Sequence, residues 1–191
     1  VESILLSAIA DIKIGYQSRK KIEERVDGTY RLIQTKDCFY PFSIQTESLI
    51  SFIPERKPEP YQVLKNDILF QARGLKHIAY CINEDIENAL AASSFYIIRV
   101  KSKEVLPKYL AWFLNQPTAQ NYFNLQSGKS LISFVSKSTL LRLQIKVPSI
   151  KVQQKIVNIN VLWLREQALR EQLITKRAQL VRIISNKAIQ K

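Results

Sequence analysis

The sequence has no methionine, one histidine (His77), two cysteines (Cys38 and Cys81) and four glycines in 191 residues. One histidine and two distant cysteines cannot supply the four ligands of a structural zinc site, so no metal is expected on this chain. Two isolated thiols fit a reduced compartment better than a disulfide framework. Four glycines leave little room for the glycine-rich strand end of a cofactor pocket, and there is no G-x-G-x-x-G, nucleophile elbow or H-E-x-x-H. No apolar run approaches the roughly 18 residues that span a bilayer. Val1-Glu2-Ser3-Ile4-Leu5-Leu6 lacks the basic flank of a signal peptide, so a cytoplasmic location is expected. A magnesium-holding set of acids around Asp67 is missing as well. Asp67 has no closely spaced Glu-x-Lys to complete a magnesium-dependent nuclease, and its simpler role is a turn cap.

What is abundant is positive charge. Lys and Arg total 29 against 16 Asp and Glu, a net of +13, which points to a polyanionic partner, with nucleic acid ahead of a membrane surface. Hydrophobic residues make up 46% of the chain and charged residues 24%, ordinary globular proportions at a length that allows one real core and an appendage. Between Lys151 and Lys191 nine cations face two acids, a net of +7, so the C-terminal fifth is the more basic part per residue.

That fifth contains neither glycine nor proline after Val147-Pro148-Ser149. Apolar residues recur at Ile156, Ile159, Leu162, Leu169, Leu173, Leu180 and Ile183, a stripe with near-heptad spacing. About 40 helical residues would extend on the order of 60 Å, too far for a domain of residues 1–148 to cover. The bland alternative is a solvated helix that frays. The expectation is a pairing or spacing helix over 149–191, with Leu162, Leu169, Leu173, Leu180 and Ile183 meeting a partner helix and Glu166 and Lys176 interrupting the seam.

Upstream, Ser3 to Ile14 reads as a short amphipathic turn or two, ending at Gly15. A polar loop, Tyr16-Gln17-Ser18-Arg19-Lys20-Lys21, follows. Strand signals lie at Tyr30 to Gln34, Ser48 to Ile53, Ile68 to Phe70, Ile78 to Ile82 and, most strongly, Phe95 to Val100. Pro107 suits the first turn of a helix whose core face is Tyr109, Leu110, Trp112, Phe113 and Leu114. A second helical piece covers Ala119 to Leu125, and Leu143, Ile145 and Val147 alternate as a half-buried strand. Strands and helices mix without regular βαβ alternation, which predicts an α+β domain around a twisted mixed sheet, followed by one long, coiled-coil-like C-terminal helix. Ser127-Gly128-Lys129-Ser130 has the tail of a phosphate-binding loop, but Phe123 stands where its first glycine belongs. The pattern is a decoy for nucleotide, although its lysine and hydroxyls suit a DNA phosphate. These features together describe a binding module and not an enzyme.

Several segments then fall into one order: an apolar start ending in Ile14-Gly15, Lys65-Asn66-Asp67-Ile68-Leu69-Phe70 before Arg73-Gly74, the Phe95 to Val100 strand before Pro107-Lys108-Tyr109-Leu110, and Ile145-Lys146-Val147-Pro148-Ser149-Ile150 before Gln153-Gln154-Lys155-Ile156. This order resembles the target-recognition domain and following helix of the specificity subunit of type I restriction-modification enzymes, over nearly the whole chain. The resemblance implies a non-catalytic reader of double-stranded DNA at a bipartite site. It also implies methyltransferase and restriction subunits as partners, with S-adenosylmethionine, ATP and magnesium bound by those partners and none by this chain. Family members carry two such domains on antiparallel helices. One domain and one helix leave a half-subunit that homodimerises through the helix, or a piece of a longer polypeptide. The expected DNA contacts are Gln17, Ser18, Arg19 and Lys20 in the first loop, Arg73, Lys76 and His77 in the second, and Ser127, Lys129 and Ser130 in the third. The rivals are a basic scaffold or RNA-associated protein without sequence readout, and a degenerate nuclease dependent on Asp67.

Overall fold

The computed structural model describes residues 2–39, 42–74, 76–126 and 133–189. The most β-prone segment forms β11 (Phe95–Val100) at the interior of a four-stranded sheet. It pairs antiparallel with β2 (Ala10–Ile14) on one side and β7 (Ile68–Gln71) on the other, and β9 (Ala79–Cys81) pairs with β7. Phe95 to Ile98 and Ile68 to Phe70 are buried on both faces, which is why these segments read as continuous apolar runs. A second sheet has the order β10 (Ala89–Ala91), β3 (Tyr30–Ile33), β6 (Ile50–Phe52), parallel between β10 and β3 and antiparallel between β3 and β6. Two small pairs brace loops: β4 (Cys38–Phe39) with β5 (Ser43–Ile44), and β8 (Arg73–Gly74) with β12 (Ser133–Phe134).

Helices α2 (Pro107–Leu114) and α3 (Pro117–Gln126) cover one face of the central sheet. Tyr109, Leu110, Phe113, Leu114, Ala119 and Phe123 join Ile68, Phe70, Tyr96 and Ile98 in the largest core cluster. Pro107 opens α2 as expected, and Trp112 is only half-buried. The other face packs Leu69, Tyr80, Phe95 and Ile97 against Ile33 of β3. The architecture is α+β with a long C-terminal helix, α5 (Ile150–Ile189).

The N-terminal stretch departs from its expected amphipathic turns. It is β1 (Glu2–Leu5), one helical turn α1 (Leu6–Ile9), then β2. A helix this short gains little by itself, whereas β13 (Gln144–Val147) and β11 offer complete ladders to the two flanking segments. The β1–β13 pair sets the beginning and end of the domain side by side. Strand β10 carries no sequence signal of its own, and the short helix α4 (Lys137–Leu141) has only the Ser136 cap, which accepts the Thr139 N–H at 3.0 Å. Ala89, Leu90 and Ala91 are a helix-favouring triplet, fully buried because a parallel partner holds them.

Asp67 does cap its turn. Its Oδ2 accepts the Leu64 N–H at 2.8 Å, and its carboxylate takes Arg99 through Nε at 2.7 Å and through a terminal guanidinium nitrogen at 2.6 Å. At 2% side-chain exposure this carboxylate is wholly committed to the fold. Cys38 and Cys81 are free and half-buried, and burial pushes their thiols up to about 12 and about 11. Among the described residues no helix is long and apolar enough to cross a membrane.

Candidate nucleic-acid interface

Hydrogen bonding along the central sheet defines its two ends. At one end, Gly15 N–H donates to the Phe95 carbonyl, Tyr16 N–H to Ala91, and Ala72 N–H to Ser94, while Val135 N–H donates to Ala72. The first loop, the Arg73–His77 loop and the segment from Ser133 therefore all leave the sheet at this end. At the other end, Lys101 N–H donates to Ile9 at 2.8 Å, and the chain after β11 meets the start of α5.

The first loop departs through a tight crossing. A Cβ on Gly15 would lie 2.2 Å from the Ala92 carbonyl oxygen, so only glycine lets the strand pass. Tyr16 then plugs the second sheet, 2% exposed, with its ring against Phe52 and Tyr61 and its hydroxyl accepting the Glu55 N–H at 2.8 Å. The loop that follows is consequently rooted at its base. Gln17, Arg19, Lys20 and Lys21 are exposed, and Ser18, half-buried, accepts the Lys20 N–H at 3.2 Å and so shapes the turn. Lys20 and Lys21 line a groove of about 510 Å³ whose floor is Tyr16, Phe52 and Pro54. Arg25 is clamped to Asp27 at 2.8 Å, whereas Arg19, Lys20 and Lys21 have no ion pair among the described residues.

The second loop and the flank of the third are stitched together. Arg73 pairs with Phe134 in the ladder, and its exposed guanidinium lies 5.0 Å from the centre of the Phe134 ring. Gly74, at φ +138°, occupies a backbone conformation that side chains disfavour. Lys76 is exposed. His77 is not: it is 1% exposed, Nδ1 lies 3.1 Å from the Gln71 carbonyl, and Nε2 lies 2.8 Å from Ser133 Oγ. The Gln71 carbonyl only accepts, so Nδ1 donates to it, and burial lowers the His77 pKa below its ordinary value. Both nitrogens are used inside the protein, which makes His77 a brace between the two loops instead of a side chain facing solvent. Ser127, Lys129 and Ser130 lie outside the described residues.

The structure thus brings Gln17, Arg19, Lys20, Arg73 and Lys76 to one end of the sheet and withdraws His77. Sequence reading passed over Ser133 and Phe134, whose positions are set by β8–β12 pairing between distant segments. Gln153 figured in the sequence only as part of the Gln153-Gln154-Lys155-Ile156 entry to the helix, with no role of its own. This fully buried side chain accepts the Leu106 N–H at 2.9 Å and donates to the Glu104 and Pro148 carbonyls at 2.7 and 2.8 Å. The glutamine pair in Gln153-Gln154 was its visible signal, but nothing in the string told which of the two turns inward.

Beyond this junction α5 leaves the domain. Val157 is buried, Ile156 packs on the main core, and every described residue from Leu169 onward is exposed. Ile156 therefore belongs to the domain side of the helix and not to the outward stripe. Leu162, Leu169, Leu173, Leu180 and Ile183 remain between 50% and 67% exposed. A concavity of about 570 Å³, framed by β9, α2 and the first turns of α5, includes Trp112 and Trp163 and carries Lys108 as its one basic residue.

Residues 1–160 match the family described as Type I restriction modification DNA specificity domain. No curated protein matches the chain by sequence. Among solved structures, it is similar to the type I restriction-modification S subunit from M. genitalium, with a TM-score of 0.57 and 15% identity over 84% of this chain and 38% of that one. A structure concerned with complex assembly and conformational transition of the type I R-M system gives 0.65 and 16%, over 95% and 43% of the respective chains. The HsdS subunit from Thermoanaerobacter tengcongensis gives 0.59 and 15%, over 87% and 37%. The chain spans about two-fifths of the length of these structures, and at such identities the likeness is one of fold.

Proposed function

The chain belongs to the type I restriction-modification DNA specificity family, and from that premise we propose that it reads one half of a bipartite duplex site. In this role it directs adenine methylation and restriction by methyltransferase and restriction subunits, and performs neither reaction itself. The supporting observation is the separation of ends. Cations with no ion pair among the described residues and an amide gather on loops at one end of the central sheet, while the long helix is fastened at the other. Arg19, Lys20 and Lys76 would neutralise phosphates, and Gln17 and Arg73 would reach base edges. Ser18 and His77 hold the loops in shape, and Ser127, Lys129 and Ser130 are further candidate phosphate contacts by their chemistry alone. A second chain, paired through α5, supplies the other half-site, so the full site is an inverted repeat.

Selection of bound duplexes from a random pool by the full chain tests this. The expected product is an enriched inverted-repeat motif, with affinity falling steeply as salt rises. Alanine at Arg19, Lys20, Arg73 and Lys76 together should weaken binding by about a hundredfold or more and flatten the salt dependence. A pool without enrichment, with RNA bound equally well, would favour the basic scaffold instead.

A further inference from the structure

The outward stripe of α5 has eight positions: Ile159, Leu162, Glu166, Leu169, Leu173, Lys176, Leu180 and Ile183. Their spacings of 3, 4, 3, 4, 3, 4 and 3 read identically in both directions. A second copy running antiparallel can therefore meet the stripe layer for layer. Centred between Leu169 and Leu173, such a pair sets Ile159 against Ile183, Leu162 against Leu180 and Leu169 against Leu173. The two charged positions then fall opposite each other, Glu166 against Lys176. Sliding by one heptad puts Glu166 on Leu169 or Ile183, and Lys176 on Ile159 or Leu173. A parallel pair in register sets Glu166 on Glu166 and Lys176 on Lys176.

Resting on the pairing through α5 proposed above, we infer that a second copy of this chain docks antiparallel in this one register, selected by two symmetry-related Glu166–Lys176 pairs. The apolar layers supply the attraction and the charged layers reject the alternatives. The face is free to receive it. At 3.6 residues per turn, the domain-side residues Gln153, Val157, Asn160 and Leu164 lie on the opposite side of the helix from the stripe, about half a turn round. Among the described residues of one copy, Glu166 makes its one ion pair with Arg170, at 2.6 Å, and Lys176 makes none. The two-fold axis then crosses about 30 Å beyond Ile150, so the two domains are fastened about 60 Å apart along the helix pair.

Sedimentation of the full chain at neutral pH and moderate salt tests the register with Glu166→Lys, Lys176→Glu and the double exchange. Each single change should raise the dimer dissociation constant about tenfold, and the double change should bring it back to within about threefold of the parent. Lys176→Glu leaves the Glu166–Arg170 pair intact, so its effect cannot come from a weakened helix. A dimer indifferent to both single changes, or a double variant no tighter than the singles, overturns the register while leaving helix pairing standing. A parent chain that stays monomeric at about 100 μM, far above the working range of a stable dimer, overturns the pairing itself.

Discussion

The domain and the outer half of α5 use the same kinds of side chain to opposite ends. In the domain Leu32, Leu69, Leu90, Leu110 and Leu140 have no more than traces of exposed surface, and buried acids and amides such as Asp67 and Gln153 find partners within the chain. Along α5 Leu162, Leu169, Leu173 and Leu180 stand at least half exposed, with no second layer to cover them. A domain satisfied by its own contacts is a folding unit. An apolar stripe on a 40-residue helix is an incomplete one, because exposed leucines at regular spacing cost solubility unless another surface covers them. The two halves of the molecule should therefore fail independently: damage to the stripe costs assembly, damage to the core costs folding, and only the junction between them should disturb both.

The sharpest break is Leu173→Lys with Leu180→Lys. By two-fold symmetry four lysines enter the seam, and loss of leucine burial at about 1.5 kcal/mol or more each predicts a dimer weakened at least a thousandfold. The domain's urea midpoint should not move. A dimer that survives both changes would place the interface elsewhere; a shifted midpoint would show that the helix and domain are not separate.

The same division decides how much was legible beforehand. Strand β11, the Pro107 helix and the long α5 each announce themselves in consecutive residues, so periodicity and β-branched content located them. Pairings between distant segments left no such trace. Nothing near Ala89 says that Arg31 to Ile33 lie alongside, and nothing near His77 says that Ser133 occupies its second nitrogen. His77 consequently read as a DNA contact because it stands beside Arg73 and Lys76 in sequence, while desolvation places it on the inner side of the same loop. Ile156 likewise joined the stripe by spacing alone, although the domain covers it.

A smaller effect, confined to the domain, comes from Arg99→Ala. The residue left behind is the buried one: Asp67 is 2% exposed in its side chain and Arg99 42%, so truncation leaves a carboxylate with no counter-charge. The expected loss is about 3 kcal/mol, read from urea unfolding. The concentration dependence of dimer formation should be unchanged for the folded fraction. If assembly weakened as well, the two regions would be coupled through the far end of the sheet and would not be independent units.

Gln153 is where the division ought to leak. Truncation to alanine orphans the Leu106 N–H, while the Glu104 and Pro148 carbonyls sit nearer to water, so the expected cost is about 1–2 kcal/mol. Gln153→Glu should be worse than alanine, because both carbonyls would then face a carboxylate oxygen where an N–H donor stood. Hydrogen exchange separates junction from seam. Amides in the first turns of α5 should exchange about tenfold faster in the alanine variant, in proportion to its lost stability. Amides between Leu169 and Ile183 should respond instead to protein concentration. Equal protection of the first turns in parent and variant would mean that Val157 and Ile156 hold the helix to the domain without the glutamine.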